Sequence, residues 1–541
     1  MNDRLAIMLR HKWLPSIAAI TLVALLLFGL LLPVYADEVD WRFAERAAID
    51  GFDKQPNDSC GPSSMAVPPW FMMPVRYYSA WLNQLFPDPF YVRISGVLYA
   101  LILLTMVWRL VARITPQAEQ RRLIQTICVS LLGLATLPLL LVMSRPEQPI
   151  LLSLLAALLL AFRPPSSNTQ TIALRCLGVL ACACIALSYH MKGVLLAPAF
   201  AFCLLLCGSG RKSIALRGIA ITLLIAAAVV AARYWVGKVA CPGNPALAAV
   251  YAKMNVSALL SQGNGISGAF HALAQNANVL IYLMRTAPDV TPTGTWVIQA
   301  VSQAQMVNWR IGLFVIWLPI TVLTAIGIGR GLITTLREKR LDARPILALL
   351  ILSLTLAWGM TQTVKNVYES GFIVPLWIVV VALGLATGQW GRRLVLTARI
   401  LALAMGISGA LLVATYLPSF ARAAHSQAYL GQQLTSQSVF GYGAAKPRIM
   451  AAAKLCGIGA KGRPQALLID DVTYFAFMGS HRPQQDHGVL GLWSAGIGDP
   501  VRYLKSVGSD GAILGCHFLP PALRGRAKRV GEFCCLSPPN W

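Results

Sequence analysis

Hydrophobic residues in this chain come in long unbroken stretches, separated by short polar and basic punctuation. Ile17 to Val34 and Leu151 to Phe162 carry no charged residue at all. A helix needs about 20 apolar residues to cross the hydrocarbon core of a bilayer. Lipid offers no partner for backbone polar groups, so such stretches must be helices or closed barrels. Continuous apolar runs without strict alternation select helices. The pattern predicts about eleven spans, near 14–35, 92–108, 123–143, 148–162, 171–189, 193–207, 214–233, 311–329, 345–361, 371–388 and 400–417. Beyond 418 the pattern changes. Short strand-like runs, Ala466 to Ile469 and Gly511 to Leu514, alternate with Gly and Pro punctuation and predict a small α/β domain.

The expected architecture is therefore an all-α polytopic membrane module, 1–417, followed by a soluble extracytoplasmic α/β domain, 418–541. Within the module a first outer loop occupies 36–91 and a larger one 234–310. No internal repeat or low-complexity segment interrupts this plan. Composition agrees: of 541 residues 56% are hydrophobic and 12% charged, with a mean hydropathy of +0.62. Soluble domains carry roughly a quarter charged residues.

The formal charge of +25 would suggest nucleic acid in a soluble protein. Here its distribution is topological. With the N-terminus inside, the inner segments collect 20 Lys and Arg, from Arg4 to Arg399. The three short outer loops carry only Arg145, Lys192 and Lys365. Cytoplasmic loops of membrane proteins are enriched in this way, so the expected setting is a bacterial inner membrane with a cytoplasmic N-terminus and a periplasmic tail. Val34-Tyr35-Ala36 also resembles a signal-peptidase site, but the apolar run before it exceeds a signal core of about 7–15 residues.

Cysteines follow the same division. Cys128, Cys176, Cys182, Cys184, Cys203 and Cys207 fall in or beside predicted spans, where Cys is a small apolar filler. Cys60, Cys241, Cys456, Cys516, Cys534 and Cys535 all fall outside. An even number facing an oxidising compartment predicts disulfides, foremost among the four in the tail. No C-x-x-C zinc spacing occurs among them.

Eight of the 21 acidic residues crowd into the first outer loop, whereas 91–417 holds only six, none inside a predicted span. Proton-coupled pumps use acidic or His relays at membrane depth, so this distribution argues against one. Asp37 and Glu38 follow the first span at once. A carboxylate at that boundary can take a proton from an attacking hydroxyl; it can equally be an interfacial charge capping the next helix. Arg145-Pro146-Glu147 and His190-Met191-Lys192-Gly193 form very short outer turns on the same face. Their cations can bind a lipid phosphate or simply anchor at headgroup level.

Taken together, Ala36-Asp37-Glu38, Arg93 in Tyr91-Val92-Arg93, Ser144-Arg145-Pro146-Glu147 and His190-Met191-Lys192-Gly193 resemble the GT-C superfamily of membrane glycosyltransferases. More narrowly they resemble the branch containing lipid A aminoarabinose transferases and protein O-mannosyltransferases, over roughly 10–235. His-Met-Lys-Gly departs from the Pro-Lys-Gly-like turn of that branch. The resemblance implies a polyprenyl-phosphate sugar donor, Asp37 or Glu38 as catalytic base, and Arg145, Lys192, His190 and Arg93 around the donor phosphate. It also implies first-loop helices lying along the membrane, for which Trp41 to Phe52 and Pro69 to Phe86 are suited. The acceptor would be a hydroxyl of a glycolipid, glycan or protein, with membrane lipids and no nucleic acid as further partners.

No cofactor is expected. In the tail, Asp470-Asp471 can bind a divalent ion and His481 with Asp486-His487 can bind zinc, but such pairs also form turns at strand ends. Arg524, Arg526, Lys528 and Arg529 suit an anionic glycolipid or a solvated face. Two other functions fit the topology. An O-antigen ligase or polymerase would depend on Arg and His in 234–310, and a flippase would move lipid-linked sugar without bond formation.

Overall fold

The computed structural model describes residues 14–31, 34–35, 38–39, 41–42, 68–85, 88–134, 137–208, 211–239, 267–268, 303–339, 341–360, 369–387, 400, 403, 407, 436–437, 439, 441–459, 465–470, 473–477, 482–485, 501, 505, 509–516, 519 and 521–538. Most of the predicted span 400–417 and most of the large loop 234–310 lie outside them, as do Cys60 and Cys241.

The helices are α1 (Leu14–Phe28), α2 (Met73–Leu85), α3 (Pro89–Ile114), α4 (Ala118–Leu132), α5 (Leu137–Leu141), α6 (Glu147–Ala161), α7 (Thr169–Tyr189), α8 (Met191–Leu195), α9 (Ala197–Leu205), α10 (Arg211–Val239), α11 (Gln303–Glu338), α12 (Ala343–Gly359), α13 (Ser370–Leu385) and, in the tail, α14 (Tyr442–Leu455), α15 (Tyr474–Phe477) and α16 (Pro521–Arg524). Among the described residues four helices are long and apolar enough to cross a membrane: Pro89–Ile114, Thr169–Tyr189, Ser213–Gly237 and Phe314–Glu338. Shorter apolar helices, Pro15–Phe28, Glu147–Ala161, Ala343–Gly359 and Gly371–Leu385, stand with them. The chain is a mostly helical, membrane-integrated protein.

Helix starts follow local chemistry. Asp88 accepts from the Phe90 amide at 2.8 Å, with Pro89 at the first helical position of α3. Asn168 and Asp342 cap α7 and α12 in the same way. The predicted span 193–207 is broken instead into α8 and α9, where Pro198 enters a new first turn. The span 123–143 divides into α4 and α5.

Helix α3 packs on α4 and α6, α6 on α7, α7 on α10, and α13 on both α11 and α12. Two glycines set the closeness of packing at the end of the bundle that holds Arg93 and Lys192. A Cβ at Gly96 would lie 1.8 Å from the Val142 carbonyl oxygen, and one at Gly193 would lie 2.0 Å from that of Ala186. Any side chain there would push α3 off the turn before Arg145, or α8 off α7.

The tail forms a five-stranded sheet in the order β4-β3-β5-β7-β6, with β3 (Ala466–Ile469), β4 (Arg482–Gln485), β5 (Gly511–Gly515), β6 (Lys528–Val530) and β7 (Phe533–Leu536). Strand β3 runs parallel to β4 and β5, whereas β7 is antiparallel to β5 and β6. Alternate side chains serve two cores. Leu467, Ile469, Ile513 and Phe533 pack against α14 and α15; Leu468, Leu514 and Leu536 pack against Leu519 and Leu523. Neighbouring Cys534 and Cys535 therefore point to opposite faces and close two disulfides, Cys516–Cys534 and Cys456–Cys535. All four tail cysteines expected to pair do so.

A second, two-stranded sheet joins tail and membrane module. Strand β1 (Val34–Tyr35) pairs antiparallel with β2 (Ser436–Gln437), in register Val34↔Gln437 and Tyr35↔Ser436. Val34, Val39 and Val92 share one buried cluster with Val439, Tyr442 and Ile449. Burial there pushes the Tyr442 phenol well above its ordinary range, and the nearby Asp88 carboxylate adds to the effect.

Candidate active site at one end of the bundle

Beyond β1 the chain turns to bury Glu38. Its carboxylate takes a two-pronged contact from Arg93 on α3, Nη1 to Oε1 at 3.0 Å and Nη2 to Oε2, and both side chains are 0% exposed. The Ser144 amide donates to the same Oε1 at 2.6 Å, and Arg93 Nη1 also donates to the Val142 carbonyl at 3.1 Å. Glu38 thus ties the first outer loop to α3 and to the turn before α6. Asp37, its neighbour, lies outside the described residues.

Four residues on, Arg42 reaches back over the same turn. It donates to the Glu38 carbonyl at 3.0 Å, to Ser144 Oγ at 3.0 Å and to Ser95 Oγ at 3.4 Å. Ser95 and Ser144 meet each other at 3.1 Å. These acceptors are all neutral, so among the described residues no carboxylate pairs with Arg42. Arg42 and Arg145 line a cleft whose remaining wall includes Trp41, Tyr91, Ser144, Tyr189, Ser79 and Asn83.

Arg145 contacts Glu147 through Nε and Nη2, each at 3.2 Å. Lys192 has a different setting. It is 2% exposed and sits between Glu147 and Glu369, 2.8 Å from the latter, with its ammonium 5.1 and 5.2 Å from the ring centres of Trp358 and Phe372. His190 ends α7 and caps α8, its Nδ1 accepting from the Lys192 amide at 3.0 Å. The His190 ring stands between Trp41, 5.2 Å away, and Trp235, 6.0 Å away.

Of the described residues expected to meet substrate, only Arg145 lines the cleft. Glu38 and Arg93 engage each other, and Lys192 is enclosed by two carboxylates. Each of these ions has an opposite charge within reach, as an ion in a dry interior requires. His190 is a cap and an aromatic spacer. Arg42 and Glu369 were not anticipated. The signals were Arg42 on the turn just after the acidic pair, and Glu369 as one of the few acids in 91–417.

Helix α2 forms the cleft's outer wall. Its inner face sets Arg76 against Tyr234, with Nη2 2.7 Å from the hydroxyl, and Ser79 against the Tyr189 hydroxyl at 2.8 Å. Its other face leaves Tyr77, Tyr78, Trp81 and Leu85 exposed, next to exposed Trp70. Aromatic residues on one face of a helix suit a headgroup boundary. The predicted amphipathic stretch Pro69 to Phe86 has this form; most of Trp41 to Phe52 lies outside the described residues. In the tail, Asp470 accepts from the Thr473 amide and hydroxyl and from the Gly515 amide, so it closes a turn. Asp471, His481, Asp486 and His487 lie outside the described residues.

No family model matches the chain, and no curated protein matches it. Among solved structures, the chain superposes on the apo oligosaccharyltransferase of Archaeoglobus fulgidus with a TM-score of 0.44 and 10% identity, over 94% of this chain and 70% of the other. It superposes on ArnT from Cupriavidus metallidurans, bound to undecaprenyl phosphate, with a TM-score of 0.44 and 11% identity, over 98% of each. Likeness this distant assigns no activity and no residue roles.

Proposed function

We propose that this chain is a glycosyltransferase of the GT-C type. In this reading it moves a sugar from a polyprenyl-phosphate donor to an acceptor hydroxyl of a glycolipid, glycan or protein on the outer face of a bacterial inner membrane. The membrane module would span 1–417 and the periplasmic domain 418–541, with the N-terminus in the cytoplasm. The observation that carries the reading is the cleft beside Glu38, lined by Arg42, whose partners among the described residues are all neutral, and by Arg145; Arg42 follows Asp37 by five residues in the chain.

The acceptor oxygen attacks the anomeric carbon as its O–H proton passes to the Asp37 carboxylate. The carbon–oxygen bond to the carrier phosphate breaks, and the electron pair leaves with the lipid phosphate. Arg42 and Arg145 stabilise the charge building on that phosphate through charge-assisted hydrogen bonds. Glu38 and Arg93 position the loop, and Lys192 neutralises Glu147 and Glu369. The residue pattern around Asp37 and Arg145 supports the assignment to this class, and no step needs a nucleotide-sugar or metal.

The test is sugar transfer by purified variants in nanodiscs. Asp37→Asn retains shape but cannot accept the proton, so turnover is expected to fall by about 10²–10⁴-fold with donor binding kept. Glu38→Gln is expected to lower folded yield, in keeping with its buried pair. If Asp37→Asn turns over normally, the base is elsewhere and the mechanism fails. Lipid translocation without a new glycosidic bond would instead identify a flippase.

A further inference from the structure

We propose that the C-terminal domain is a positioning part of the active site, acting through the β1–β2 joint; the inference rests on the reading of Asp37 as base. Asp37 lies in the chain between two fixed points. On one side, Tyr35 and Val34 are paired in register with Ser436 and Gln437 of the tail. On the other, Glu38 is held by Arg93 and the Ser144 amide. Only two residues, 36 and 37, separate these anchors. The second anchor belongs wholly to the membrane module. The first exists only because the tail supplies a strand.

Two paired residues form a weak sheet by themselves, since isolated two-stranded ribbons are marginal in water. Here the pairing is backed by apolar burial. Val34 and Val39 flank the acidic pair in sequence, and both are buried with Val92 at the start of α3 against Val439 and Tyr442 of the tail. Backbone pairing and apolar burial thus act together at the joint. A one-residue slip of β1 would invert which residues face the apolar cluster. Register at this joint therefore sets one of the two ends from which residues 36 and 37 are held.

The consequence is kinetic. Disturbing the joint should misplace the base without removing any group that touches substrate, and a misplacement of about 1 Å can cost about 10²-fold in rate. Gln437→Pro removes a backbone donor from β2, and Val439→Asp puts a charge into the apolar cluster. Each is assayed in the full-length protein in nanodiscs. The expected result is a fall in kcat on the order of 10–100-fold, with donor KM unchanged within about twofold. Val439→Ile preserves the apolar joint and is expected to rescue kcat. Non-reducing mass spectrometry must find Cys456–Cys535 and Cys516–Cys534 intact, which shows that the tail is folded.

A second measurement covers the case in which those variants disturb the tail itself. Antiparallel partners lie about 4.5–5.5 Å apart at Cα, within disulfide reach of about 4.4–6.8 Å. A Val34→Cys, Gln437→Cys protein can thus be cross-linked with the joint shut. If the joint stays closed during catalysis, the cross-linked protein turns over. An inactive cross-linked protein, or disulfide-intact joint variants with wild-type kcat, overturns the proposal. Should Asp37→Asn also be fully active, the failure belongs to the reading of the base; if Asp37→Asn is dead while the joint variants are normal, it belongs to the joint alone.

Discussion

Two sets of ions lie side by side at one end of the bundle, and the fold treats them in opposite ways. Glu38 and Arg93 are fully buried and grip each other, and Lys192 is likewise enclosed between Glu147 and Glu369. Arg42 and Arg145 instead bring guanidiniums to the wall of a cleft, Arg42 with only neutral acceptors among the described residues. Removing an ion from water costs several kcal/mol unless a partner compensates it. The first set is compensated within the protein. The second brings charge to the cleft wall, and under the proposed function that charge meets the donor phosphate. A cation beside a cleft is thus not evidence of substrate contact until its partners are known.

The largest expected effect comes from breaking the buried pair. Arg93→Ala would strand the Glu38 carboxylate in the dry interior, at a cost of about 3–5 kcal/mol. Thermal unfolding in detergent, read with folded yield, is expected to show a severe loss. The double variant Glu38→Leu, Arg93→Met removes both charges and should recover most of it, because apolar replacement of a whole buried pair is commonly near neutral. If Arg93→Ala leaves stability intact while donor binding collapses, Arg93 belongs to the ligand-binding set and the contrast dissolves.

What could be seen in advance divides along the same line. Apolar runs predict α3, α6, α7 and α10–α13 because lipid imposes a local requirement, one long helix for each crossing. The tail's strands at Ala466 and Gly511 and its cystine-bearing residues are visible because their signals, too, are local. Partner choice is not local. Glu38 meets Arg93 across 55 residues and Lys192 meets Glu369 across 177, so the sequence around each shows a charge but not what neutralises it. The β1–β2 joint is hidden for a related reason. Two residues carry no periodicity, and their partner lies some 400 positions away.

A smaller effect is expected at Arg42, and of a different kind. Arg42→Ala leaves Ser95 and Ser144 hydrogen-bonded to each other at 3.1 Å and strands no carboxylate among the described residues. Stability should hardly change. A hydrogen bond to a charged group contributes about 1.5–3 kcal/mol, so donor KM should rise about 10- to 100-fold. Loss of stability without loss of donor affinity would move Arg42 into the structural set.

The smallest expected effect, and the finest test of the contrast, is Arg145→Lys. Arg145 stands between the two sets: it faces the cleft, yet it also meets Glu147 at 3.2 Å through two nitrogens. Glu147 has Lys192 as a second partner, so it is not left uncompensated when the guanidinium goes. Lysine retains the positive charge but presents a point ammonium in place of a planar fork. It can attract a phosphate, yet it cannot bridge a carboxylate and a phosphate with fixed geometry. The expected result is a donor KM raised about two- to fivefold, worth under about 1 kcal/mol, with unfolding unchanged. Steady-state transfer at varied donor concentration, beside Arg42→Ala in the same nanodiscs, gives the comparison. A loss at Arg145→Lys as deep as that at Arg42→Ala would make Arg145 the principal phosphate ligand and reduce Arg42 to a support for the Ser95–Ser144 turn.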